Sequence, residues 1–129
     1  MKTRLLILFS LLVMAALALS ACGGGAASAT ATPKPKGDTV KGKTGFLSTC
    51  SACHGPDAKG LPNLGKDMTI SVFIKGLTDD QLLDFIKKGR PSSDPANTTK
   101  VDMPPKGGNP ALTDQDLYDI IAFMRTLSK

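Results

Sequence analysis

Cys50, Cys53 and His54, in the run Cys50-Ser51-Ala52-Cys53-His54, are the residues best placed to do chemistry together. Two cysteines separated by two residues lie about one backbone turn apart, so both sulfurs can face one object. The histidine directly after them brings an imidazole under it. This is the attachment signature of a c-type haem. Each thiolate adds across one haem vinyl group, giving two thioether links, and the imidazole binds iron as proximal ligand. His54 is the only histidine of the chain, so the iron has one imidazole available. Competing uses of the cluster are weaker. A zinc site needs about four ligands, usually with several Cys or His among them, and beyond this cluster the only further cysteine or histidine is Cys22. A thioredoxin-like dithiol belongs in a βαβ pattern, which the sequence lacks. A structural disulfide would leave the histidine unexplained.

The iron's second axial position must be filled by something else or stay open. Five methionines are present. Met1 and Met14 lie in the N-terminal segment read below as a signal peptide, and Met124 lies among apolar residues at core spacing. Met68 and Met103 remain.

The elements that must position these groups read as helices. Thr39 to Cys50 carries Val40, Phe46, Leu47 and Cys50 near one face. Gly42 and Gly45 weaken that helix by about 1 kcal/mol each, so packing must hold it. Thr78 to Lys88 opens on a Thr78/Gln81 capping box and closes at Gly89 and Pro91. Leu82, Leu83, Phe85 and Ile86 form its apolar stripe. The last helix starts at Thr113 and buries Leu117, Ile120, Ile121, Met124 and Leu127. Asp67 to Lys75 is ambiguous, because Ile70, Val72 and Ile74 alternate as in a strand. With no partner strand in view it is read as irregular or a short helix. Residues 91–110 show no periodicity, and a loop that long is usually functional or disordered.

From the Cys50–His54 motif, Gly42 and Phe46 before it, a methionine loop at Met103 and an amphipathic closing helix, the stretch Asp38 to Lys129 resembles the class I c-type cytochromes. The resemblance implies a small all-α fold, three to four helices around one covalent haem c. It implies that Gly42 and Phe46 meet the closing helix at Ile120 and Phe123. It implies that the Pro62 carbonyl accepts a hydrogen bond from the second nitrogen of His54, orienting the ligand. The family's axial methionine sits in such a loop shortly before the closing helix, which selects Met103 as sixth ligand over Met68. It implies an electron carrier and not an enzyme, with membrane-bound donor and acceptor proteins as partners. The carrier is either a mobile shuttle or a subunit of a quinol-oxidising assembly of the alternative complex III kind or of an oxidase. The rival function is a gas sensor or small peroxidase with an open sixth position. Lys43, Lys59, Lys100 and Lys106 are candidates for a weak positive rim steering acidic partners. Tyr118 is placed at a haem propionate or in solvent.

Composition narrows the rest. The 129 residues carry a formal charge of +5. Four of the sixteen basic residues (Lys2, Arg4, Lys34, Lys36) precede the domain, leaving twelve against eleven acids, near +1. No basic cluster is interleaved with aromatics, so nucleic acid is not a partner. All eleven acids are aspartates, with no glutamate pair for acid/base work. A domain this small without tryptophan needs help to build a core, so the haem-free polypeptide is expected to be largely unfolded.

At the N-terminus, Lys2 and Arg4 precede an apolar run from Leu5 to Leu19, then Leu19-Ser20-Ala21-Cys22. A basic start, an apolar stretch and small residues before a cut form a secretory signal. The cysteine after them resembles the bacterial lipobox, which implies diacylation of Cys22 as the mature N-terminus. The run falls short of the ~20 residues that a spanning helix needs. The expected organisation is a lipoprotein signal peptide at 1–21, a lipid-anchored flexible linker at 22–37 and the domain at 38–129. That puts the domain outside the cytoplasm, on the periplasmic side of a membrane. The Gly-, Ala- and Ser-rich linker would let it swing over roughly 20 Å.

Overall fold

The computed structural model describes residues 37–129. The expected signal peptide at 1–21, Cys22 and the expected linker up to residue 36 lie outside the described residues. Asp38 opens the fold as a helix cap, its carboxylate accepting the Val40 and Lys41 N–H groups at 2.8 and 3.1 Å. Helix α1 (Thr39–Gly45) runs without a break through a π-helical turn (Phe46–Cys50) into α2 (Ser51–His54). The rod is thus longer than the Thr39–Cys50 span read from periodicity, and it carries the whole cysteine–histidine motif. Its wide turn begins at Phe46, which is fully buried.

Three further helices follow: α3 (Val72–Gly76), α4 (Asp79–Lys88) and α5 (Asp114–Leu127). The described residues contain no strand, only isolated bridges at Leu61/Gly65 and Arg90/Met103. The all-α fold expected from sequence is therefore the observed one. The ambiguous stretch resolves as a short helix capped by the Ser71 hydroxyl, which accepts the Ile74 N–H at 3.2 Å. Its alternation misleads because Ile74 alone of the three is buried, while Ile70 and Val72 are 62% and 82% exposed. The Thr78/Gln81 capping box forms with both bonds. A second box forms at Thr113 and Asp116, with reciprocal contacts of 2.9 and 3.2 Å.

The core is built on the crossing of α1 and α5. Gly42 lies so close to α5 that a Cβ on it would sit 1.8 Å from the Asp119 carbonyl oxygen. Only a residue without a side chain permits that approach, which outweighs the cost in helix propensity. One turn on, Phe46 and Phe123 pack with ring centroids 5.5 Å apart, a tilted arrangement favoured by aromatic quadrupoles. Ile120, Ile121, Leu117 and Met124 complete the buried face of α5. Buried Asp119 accepts the Asp38 N–H at 2.9 Å and the Gln115 amide at 2.8 Å, so the start of the rod is pinned to α5. Gly37, read from sequence as the last linker residue, packs on Tyr118 and Ala122 of α5 and belongs with the domain.

Arg125 does more than face the negative end of its helix. It bonds the Ile74 and Leu77 carbonyls at 2.8 and 2.5 Å and the Asp79 carboxylate at 3.0 Å, tying α5 to α3 and α4. Among the described residues, no helix is long and apolar enough to cross a membrane.

Candidate functional site

A cavity of about 440 Å³ opens between the rod, α4, α5 and the loops that join them. Cys50, Cys53, His54 and Met103 all line it, with apolar side chains such as Leu82, Ile86 and Ile120 behind them. The chosen attachment and ligand residues are therefore brought to one space, within the 300–1,000 Å³ usual for cofactor sites. Cys50 and Cys53 are not joined to each other as a disulfide. Burial, with a smaller contribution from neighbouring Cys53, pushes the Cys50 thiol up to about 11.

His54 ends the rod, and Gly55 turns the chain away with φ 73°. Its Nδ1 lies 3.0 Å from the Lys66 carbonyl oxygen. A carbonyl only accepts, so Nδ1 carries the proton and Nε2 is the free donor for a metal. The acceptor expected at Pro62 is thus corrected to Lys66. The reason is local. Leu61 bridges to Gly65, and the Leu64 and Gly65 N–H groups both bond the Leu61 carbonyl. Pro62 is left on the outside of that curl and exposed. The returning chain then presses Gly65 onto the motif, where a Cβ would come 2.1 Å from the Cys53 carbonyl oxygen. The next residue's carbonyl is the one delivered to the imidazole.

The opposite wall is a loop. Arg90 and Met103 exchange two backbone hydrogen bonds of 2.8 and 2.9 Å, closing the segment between them. Inside, buried Asn97 spends its whole amide. Its Nδ2 donates to the Pro91 and Val101 carbonyls at 3.1 and 2.7 Å, and its Oδ1 accepts from Lys100 N–H and the Thr99 hydroxyl at 3.0 Å each. Beside Met103, the Ser92 hydroxyl and N–H hold the Asp102 carboxyl below its ordinary range. After Pro104, a tight turn at Pro105–Gly108 returns over Thr49 and Cys50.

Met68 and Met124 also line the cavity. Tyr118 is not part of its lining, and its hydroxyl donates to Asp80 at 2.8 Å, joining α5 to α4. Of the rim lysines, Lys106 turns inward to the Pro110 and Leu112 carbonyls at 3.2 and 2.6 Å, and Lys59 pairs with Asp57 at 3.5 Å. Sequence reasoning missed the Lys66 carbonyl, for which no side-chain signal exists. It also missed Arg90 and Asn97, whose only signal is an isolated cation and an amide in a polar loop.

The cytochrome c family model matches residues 39–128. Cytochrome c-555 of Chlorobaculum thiosulfatiphilum is 32% identical over 71% of this chain and 99% of its own length. Cytochrome c-555 of Prosthecochloris aestuarii is 31% identical over 67% and 85%. The cbb3-type cytochrome c oxidase subunit CcoP of Rhodobacter capsulatus is 29% identical over 70% of this chain but 30% of its own length. No solved structure gives a significant match.

Proposed function

This chain belongs to the cytochrome c family, and on that premise we propose that it carries single electrons between membrane-bound redox proteins. The family holds an iron-containing haem c covalently, and Cys50 and Cys53 stand in its attachment pattern. The haem supplies a reversible one-electron couple. Cys50 and Cys53 would hold it through thioether links, and His54 Nε2 and the Met103 thioether would be the iron's protein ligands. The observation that carries this reading is that His54 and Met103 line one cavity from separate segments. Met68 is the poorer ligand because it belongs to the histidine's own loop. Its N–H is tied to the Ala58 carbonyl at 2.8 Å, two residues beyond the Lys66 carbonyl that grips His54.

A thioether is a soft, neutral ligand that favours Fe(II) and raises the potential. With His54 and Met103 both bound, the iron would offer no open position to a substrate, which is the behaviour of a carrier. We further infer an extracytoplasmic shuttle, tethered to a membrane face by acyl chains on Cys22. Similarity to c-555 over nearly its full length supports a free carrier. Similarity to oxidase subunits supports a place beside, or within, a membrane complex.

The test is the optical spectrum of the purified holoprotein. A methionine sulfur on ferric haem gives a weak far-red charge-transfer band, and CO then leaves the reduced form unchanged. Met103→Ala should abolish the band, admit CO and lower the potential, while Met68→Ala should do none of these. CO binding to the unaltered protein, with no band, would give the site to a gas sensor or small peroxidase.

A further inference from the structure

Arg90 faces Met103 across the bridge that closes the methionine loop, each donating its N–H to the other's carbonyl. Residues directly opposed in such a pair project to the same side, and both line the cavity. The guanidinium lies in an aromatic slot. Its central carbon is 4.6 Å from the Phe73 ring centroid and 4.7 Å from that of Phe85. Those rings meet edge to face at 5.0 Å. The negative faces of the rings attract a cation, most strongly when it is withdrawn from water. Its partner is Asp94. Nε lies 3.3 Å from Asp94 Oδ2, yet it is buried and the contact lacks hydrogen-bond geometry. A planar cation is thus fixed on the cavity wall that carries Met103.

We propose that Arg90 is a positioning and potential-setting residue: its main chain holds Met103 at the cavity, and its charge favours the reduced haem. The proposal rests on Met103 as axial ligand. Reduction lowers the positive charge at the iron by one. A cation held in the poorly solvated wall therefore stabilises Fe(II) relative to Fe(III), and an anion does the reverse. Asp94 opposes Arg90, so removing either charge alone should move the couple in opposite directions.

The experiment is a redox titration of the holoprotein as wild type, Arg90→Gln, Arg90→Lys and Asp94→Asn, with the far-red band recorded for each. Arg90→Gln is expected to lower the Fe(II)/Fe(III) ratio at a fixed applied potential by roughly three- to tenfold, tenfold being 59 mV for one electron. Arg90→Lys should recover most of that loss, and Asp94→Asn should raise the ratio. A purely structural role would weaken the band and leave Asp94→Asn without an upward shift. The charge effect is overturned if Arg90→Gln keeps both band and potential, or if Asp94→Asn fails to raise the potential. Should Arg90→Gln lose the band, Asp94→Asn decides alone. Absence of the band in wild type removes the axial assignment, a failure separate from that of the charge effect, which the potentials still report.

Discussion

The two walls of the cavity are held by different physics. The His54 wall is the end of a rod clamped by packing, with Gly42 on the Asp119 carbonyl and Phe46 on Phe123. The Met103 wall is a loop whose shape is set by one buried amide and one backbone bridge. Packing is non-directional and shared by many contacts, so it yields only when the whole core yields. A hydrogen-bonded loop can open locally while the core stays intact. The difference makes the histidine side the fixed point of the site and the methionine side the adjustable one.

Gly42→Val should break the first wall and give the largest effect. Its Cβ would need the space of the Asp119 carbonyl oxygen, 1.8 Å away. The rod and α5 must then separate, at a cost of about 3 kcal/mol or more. Both axial sites should be lost together, read as a fall in haem-loaded protein and in melting temperature. A variant that loads haem and melts like wild type would falsify the packing account of this wall.

Asn97→Ala should break the second wall alone. It strands the Pro91 and Val101 carbonyls and the Lys100 N–H. An unmade buried hydrogen bond costs about 1–3 kcal/mol, spent here on loop order rather than on the core. The far-red band should weaken and CO should enter the reduced form, while global melting moves far less than in Gly42→Val. If band and melting temperature fall in step, the loop is not a separate unit and the comparison fails.

The same division decides what was legible in the sequence. Periodicity marks apolar faces, so the α5 and α4 stripes were readable from residue types, while the Gly42/Phe46 crossing came from the family resemblance. The Thr78 capping box was readable for a similar reason, since Thr78 and Gln81 announce their bonds by identity and spacing. The Lys66 carbonyl was not, because every residue has a carbonyl and only the curl at Leu61–Gly65 decides which one reaches His54. Asn97 and Arg90 were not, because their partners are main-chain groups and rings brought together only by the closed loop. Met103 was chosen as a ligand through a resemblance to a family pattern, and its backbone pairing with Arg90 carried no sequence signal.

The smallest expected effect sharpens the comparison on the packed side, where two aspartates cap the helices that cross. Backbone N–H groups of Lys41 and Val40 hold Asp38 below its ordinary pKa. The Thr113 hydroxyl, then the Thr113 N–H, does the same for Asp116. A carboxyl whose folded pKa is depressed adds stability above its unfolded value, near 3.9. That stability is lost as pH falls through the folded pKa. The melting temperature of the holoprotein should therefore decline below about pH 4. Both carboxylates are exposed, so solvent keeps each contribution small. Asp38→Asn and Asp116→Asn keep a capping oxygen but cannot titrate, so each should flatten that decline while leaving the far-red band at neutral pH untouched. An unchanged acid slope in the double variant would mean that the caps do not couple to the crossing, and that the rod is held by Gly42 and Phe46 alone.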